Sequence, residues 1–163
     1  MTITLPPMWH SIENKLMPVN TKNPAPEHCA QMTFDEAFQL SASLMTKLES
    51  ETGDNSDAKT LLNTMFSGDR LIPVIVQDAT TGMNLMLAYS NIQSFYYTLK
   101  TGLAHYYSRS RDKLWMKGET SGHIQRICGI FSDCDSDTLL FVVEQTGVAC
   151  HTGRSSCFFN RII

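Results

Sequence analysis

From Leu71 onward the chain is written in short apolar runs of the length and composition of strands. "LIPVIVQ" and "MNLMLAY" flank "DATTG", a turn-like spacer ending in Gly82, and together predict a hairpin. Pro73 lacks a backbone donor, so the first strand is expected at an edge or at a bulge. Ser90 or Asn91 can cap a helix running to Lys100, with Gly102 as its stop. "LAHYYS" reads as a further strand, and the composition then turns basic and polar in "RSRDKLWMKGETSG". "HIQRICGIF" and "TLLFVVEQ" predict two more strands, and the final "CFFNRII" one more.

Upstream the pattern differs. Residues 1–30 hold five of the six prolines and little periodicity, which suggests an irregular arm. "TFDE" at 33–36 has the form of a capping box, with Thr33 as N-cap and Glu36 reaching back. Ala37, Leu40, Leu44, Met45 and Leu48 continue it at helical spacing up to Gly53, and "SDAKTLLNTMFSGD" predicts a short second helix stopped at Gly68. The expected fold is α+β and β-rich: a bent mixed sheet resembling a small barrel with few flanking helices. A partly helical extension over residues 1–70 precedes this domain, which covers 71–163.

Composition narrows the function. Hydrophobic content of 42%, charged content of 18% and a net charge of -3 describe a globular chain. They give no general attraction to nucleic acid, so phosphate binding must come from a local basic cluster. No apolar run approaches the ~18 residues of a membrane span, and the N-terminus lacks the pattern of a secretory signal. A cytoplasmic, reducing location follows. There Cys29, Cys128, Cys134, Cys150 and Cys157 are core residues, metal ligands or nucleophiles rather than disulfide partners.

Three segments carry candidate chemistry. In "DCDSD", an extended backbone would place Asp133, Asp135 and Asp137 on one face and Cys134 on the other, separating hard oxygen donors from a soft sulfur. "CHTGRSSC" contributes Cys150 and Cys157, spaced too widely for a structural zinc knuckle. With Cys134 they make three thiolates, a set that leaves a tetrahedral zinc ion one open position for water. His151, beside Cys150, is the candidate for moving protons. In "SRSRDKLWMKGETSG", Arg109, Arg111 and Lys117 bring positive charge and Thr120 and Ser121 bring hydroxyls suited to phosphate; Trp115 could stack on a base or anchor the core. Neither GxxxxGK[ST] nor GxGxxG occurs. The combination points to metal-dependent hydrolysis of a small phosphorylated substrate.

"QDATTGMNLMLAY", "AHYYSRSRDKLWMKGETSG", "DCDSD" and "EQTGVACHTGRSSCF" stand in the order and spacing seen in the phosphoribosyl-AMP cyclohydrolases of histidine biosynthesis. The resemblance runs from about Leu71 to Phe158. It implies a homodimer that opens the N1–C6 bond of the adenine ring of N1-(5-phosphoribosyl)-AMP. It also implies zinc on Cys134, Cys150 and Cys157, with ligands shared across the dimer, and magnesium on Asp133, Asp135 and Asp137. Ser136 and Ser90 depart from the family pattern, standing where glycine and methionine are usual. No pyrophosphohydrolase segment follows in the residues present, so one activity is expected. Two other readings stay open: a zinc-stabilised dimeric binding module without turnover, and a hydrolase of another N1-modified purine nucleotide.

Overall fold

The computed structural model describes residues 39–43, 46, 58–68 and 70–163. Much of the predicted extension therefore lies outside the described residues, including the irregular arm and the Thr33–Glu36 capping box. Residues 39–43 and 46 are helical, within the stretch whose apolar periodicity predicts a helix. The second predicted helix is α1 (Ala58–Met65), and Gly68 beyond it takes a φ of 63°.

Six strands and one long helix follow: β1 (Ile72–Asp78), β2 (Asn84–Ser90), α2 (Ile92–Thr101), β3 (His105–Ser108), β4 (Lys113–Met116), β5 (Gln125–Ser132) and β6 (Leu139–Gln145). They form an open four-stranded sheet in the order β2-β1-β6-β5 and a separate two-stranded sheet, β3-β4. The sheet is mixed as expected, because β1 and β6 run parallel while β1-β2 and β5-β6 are antiparallel. Among the described residues it does not close into a barrel; β3 and β4 pair only with each other. Nor is β1 an edge strand. Pro73 is tolerated because pairing with β6 begins one residue later, at Val74, and the register shift against β2 lies further on, at Val76/Gln77.

Alternation selects the core. Ile72, Val74 and Val76 of β1, Leu139, Phe141 and Val143 of β6, and Leu62, Met65 and Phe66 at α1 are buried together with Phe95 and Tyr106. The opposite face carries a second apolar row. Leu87 pairs with Ile75, Ile75 with Leu140 and Leu140 with Phe131, one residue from each strand of the sheet. Phe131 joins this row because a register shift between Ile127 and Gly129 resets the alternation of β5. Leu87 is 48% exposed and Ile75 38%.

Asn91 caps α2 by a reciprocal box: its Oδ1 accepts from the Ser94 N–H at 2.9 Å, and the Asn91 N–H donates to Ser94 Oγ at 3.0 Å. Ser90, the departure from methionine, is fully buried and its hydroxyl lies 2.8 Å from Ser94 Oγ, so its polarity joins the cap. No helix among the described residues is long and apolar enough to cross a membrane.

Candidate metal centre and basic turns

β5 ends at Ser132, and residues 133–138 are the tight connection to β6. The three aspartates are thus gathered by a turn and not by strand alternation. Asp133 Oδ1 accepts hydrogen bonds from the backbone N–H groups of Asp137 (3.0 Å) and Thr138 (3.1 Å), while the Asp133 N–H donates to the Thr138 carbonyl at 3.1 Å. Ser136 takes the left-handed conformation at φ 57°, which is the physical reason glycine suits that position. The result brings carboxylate oxygens of Asp133, Asp135 and Asp137 within 4.8 Å of one another. Loss of hydration pushes the Asp133 carboxyl up, but hydrogen bonds from Thr138 and Asp137 outweigh it and hold the group below its usual value. Arg70 stands 4.0 Å from Asp137 and offsets part of this charge. The donor set is hard, compact and solvent-facing, which fits magnesium or calcium.

Cys150 is buried, in a loop tightened by two backbone bonds: its N–H donates to the Arg154 carbonyl at 3.0 Å, and Gly153 N–H to the Cys150 carbonyl at 3.1 Å. Cys157 is exposed and anchored to the sheet, its N–H donating to the Leu85 carbonyl of β2 at 2.8 Å. That bond and the one from Ser156 Oγ to the Asn84 carbonyl, 2.7 Å, are what the predicted last strand amounts to; residues 157–163 form no strand.

The two thiols interact and titrate apart. Hydrogen bonds from Thr152, whose hydroxyl lies 3.0 Å from Sγ, hold Cys150 below the ordinary thiol value against the effect of burial, helped by Cys157 and Arg154. Partial loss of hydration, followed by the hydrogen bond and charge of Cys150, pushes the exposed Cys157 thiol up, with Lys117 opposing. Two interacting thiols are the kind of soft donor pair that a soft divalent cation can take up in place of their protons. Cys134, exposed on the β5-β6 turn, does not join them within one chain: among the described residues the three aspartates form the single cluster of three or more such donors. The thiol pair fits zinc, and a third sulfur must come from elsewhere than the same chain's Cys134 as it stands.

The basic segment is not one loop. Residues 113–116 form β4, which pairs with β3 from His105↔Met116 to Ser108↔Lys113. Arg109 and Arg111 therefore lie at one end of this hairpin, and Lys117, Thr120 and Ser121 at the other, about 10 Å apart at ~3.4 Å per residue. Arg109 stacks 3.8 Å above the Tyr89 ring. The Arg111 guanidinium donates to Ser108 Oγ at 3.2 Å. Trp115 is partly buried and packs against the core on Tyr106, with ring centres 5.1 Å apart. Thr120 is exposed, as is Ser121, whose hydroxyl accepts from the His123 N–H at 3.3 Å. Lys117 is buried, 7% exposed, and points away from solvent. His151 is exposed beside Cys150. A cleft of about 380 Å³ opens elsewhere, lined by Leu71, Asn91, Gln93, Tyr107 and Asp112 among others, and none of the predicted site residues lines it.

Thr152 was missed from sequence, although a hydroxyl two residues after a cysteine in a glycine-containing turn is the available signal. The burial of Lys117 left no such signal.

The described residues thus present a soft pair of thiols, a compact hard set of three carboxylates, and basic and hydroxyl side chains at the two ends of the β3-β4 hairpin. The phosphoribosyl-AMP cyclohydrolase family profile matches residues 86–159. A phosphoribosyl-AMP cyclohydrolase from Haloquadratum walsbyi is 54% identical over 111 residues, covering 68% of this chain and 83% of the relative. One from Archaeoglobus fulgidus is 60% identical over 97 residues, 60% of this chain and 90% of the relative. A histidine biosynthesis bifunctional protein from Wolinella succinogenes is 55% identical over 106 residues, which are 62% of this chain but 46% of that longer protein. The chain belongs to the phosphoribosyl-AMP cyclohydrolase family, and it is an enzyme.

Proposed function

We propose that this enzyme hydrolyses the N1–C6 bond of the adenine ring of N1-(5-phosphoribosyl)-AMP in histidine biosynthesis, as a cytoplasmic homodimer carrying zinc and magnesium. The observation that carries the reading is the Cys150–Cys157 pair, two interacting thiols of which one is held toward the thiolate by Thr152. Their softness suits zinc, and the exposed Cys134 is free to complete the set across a subunit interface. The apolar row Leu87, Ile75, Leu140 and Phe131 supports a dimer, because a second copy would remove it from water.

Zinc, when bound, supplies an acidified water for addition to a ring carbon made electron-poor by the ribosyl group on N1. The chain's own residues do the rest. His151, in the loop of the thiols, takes a proton from the attacking water and returns one to N1 as the C–N bond breaks. Asp133, Asp135 and Asp137 hold magnesium through oxygen. The substrate has two separate monophosphates, and the β3-β4 hairpin offers anion-binding groups at both ends, Arg109 and Arg111 at one and Thr120 with Ser121 at the other.

Turnover of phosphoribosyl-AMP by zinc-replete protein tests this reading. Activity is expected to disappear with a chelator, to return with zinc, and to be absent in a folded Cys150→Ala variant. A zinc-loaded dimer that binds the substrate without converting it would establish the binding-module alternative, and preferential turnover of another N1-modified purine nucleotide would overturn the substrate assignment.

A further inference from the structure

We infer that Arg154, in the loop between the two thiols, is a substrate-binding residue that takes one of the substrate's two monophosphates. This rests on the functional reading above for the substrate and on geometry for the placement. Each monophosphate is carried by its own ribose, with the reacting ring between the two. Groups that bind anions are therefore needed on both sides of the thiols.

The β3-β4 hairpin does not supply both. Lys117 is 7% exposed and its ammonium donates to the His123 carbonyl at 3.0 Å, which removes the cation from the Thr120–Ser121 end and leaves hydroxyls there. Arg126, at the start of β5, lies 3.8 Å from Glu144, which offsets its charge. Arg109 belongs to the far end. Its guanidinium lies on Tyr89, four residues along β2 from Leu85, whose carbonyl holds Cys157; at ~3.4 Å per residue that is about 14 Å.

Arg154 meets the requirement at the near side. Its backbone is bonded to one thiol residue, since the Cys150 N–H donates to the Arg154 carbonyl at 3.0 Å. Its guanidinium lies 4.3 Å from the centre of the Phe159 ring, and Phe159 follows directly on the point where Cys157 and Ser156 fasten the loop to β2. The cation is thus held beside the thiols at its root and at its head. Arg154 is exposed, and among the described residues no carboxylate pairs with it. Stacking on a ring occupies the face of a guanidinium and leaves its edge, where the N–H donors lie, open for a two-point contact with phosphate. Ordering the side chain on Phe159 beforehand also lowers the entropy lost when phosphate binds.

Steady-state turnover of phosphoribosyl-AMP, with zinc affinity measured separately by competition with a chromogenic chelator, tests this role. Arg154→Met, whose unbranched side chain still covers Phe159, is expected to raise KM roughly 10- to 100-fold through loss of charge-assisted hydrogen bonds, with kcat within about threefold of wild type and zinc affinity unchanged. Arg154→Lys keeps the charge but loses the planar fork and should recover part of the loss. If Arg154→Met does not fold, Arg154→Gln carries the same expectation. AMP and ribose 5-phosphate, used as competing inhibitors, stand for the two phosphate-bearing halves of the substrate, and the one whose inhibition weakens in Arg154→Met identifies the phosphate. Wild-type KM in the neutral variant, with both inhibitors unaffected, would overturn the inference. Weakened zinc binding with an unchanged KM would overturn it too and make Arg154 a support of the thiols. A zinc-loaded wild-type protein that does not turn over phosphoribosyl-AMP would instead overturn the functional reading itself, and this inference with it.

Discussion

Replacing Gly147 by alanine tests how tightly the turn before the thiol loop is built. Gly147 takes φ 67°, where an L-residue costs about 1–2 kcal/mol. A Cβ at that position would also lie 2.6 Å from His123 Cδ2, 3.0 Å from Cγ and 3.1 Å from Nε2, all shorter than contact distance. The imidazole must move, and overpacking of this kind costs about 1–3 kcal/mol. The expected loss is therefore roughly 2–5 kcal/mol, a large share of the stability of a domain this size. Urea denaturation of wild type, Gly147→Ala, His123→Ala and the double variant separates the two contributions. With the ring removed, only the backbone cost should remain, about 1–2 kcal/mol, giving a coupling of about 1–3 kcal/mol. A coupling below about 0.5 kcal/mol would show that His123 does not pack on Gly147 as closely as the structure has it.

Three further outcomes are expected. Ser136→Gly should stabilise by up to about 1 kcal/mol in thermal or chemical denaturation, because Ser136 sits at φ 57°; a destabilised variant would refute the strain at this turn. His105 is buried, and loss of hydration, opposed by the bond to the Leu103 carbonyl and by Glu119, holds it below its unfolded value of 6.5. Its neutral form is the folded one, so stability is fully present above pH 6.5 and falls as pH drops toward the lower folded value, by at most about 1.4 kcal/mol per pH unit from this group. Urea midpoints of wild type and His105→Asn across pH 7.5 to 5.5 check this, and equal slopes would exclude the histidine as the cause. Leu87→Glu, at a position 48% exposed in the outer apolar row, should shift sedimentation from dimer to monomer at low micromolar protein; an unchanged dimer would place the interface on another surface.

Five of the six strands among the described residues, the α2 cap at Asn91 and the stop at Gly102 were legible in the sequence because each depends on local chemistry: alternation, a side chain reaching its neighbours' backbone, and a left-handed turn; β4 was hidden in a polar basic run, and the apolar end of the chain forms no strand. So was the donor chemistry, since cysteine, histidine and aspartate carry their preferences for metal wherever the chain puts them. The tertiary structure alone decided where those groups meet. A single turn with Ser136 at positive φ, not strand periodicity, gathers Asp133, Asp135 and Asp137, and β4 divides one basic run into two ends. Packing buried Lys117, one of the candidates for phosphate, and kept Cys134 apart from Cys150 and Cys157 within one chain. Periodicity and capping are written over a few residues. The distance between groups far apart in the chain, and the solvent left around them, is a property of how the sheets pack.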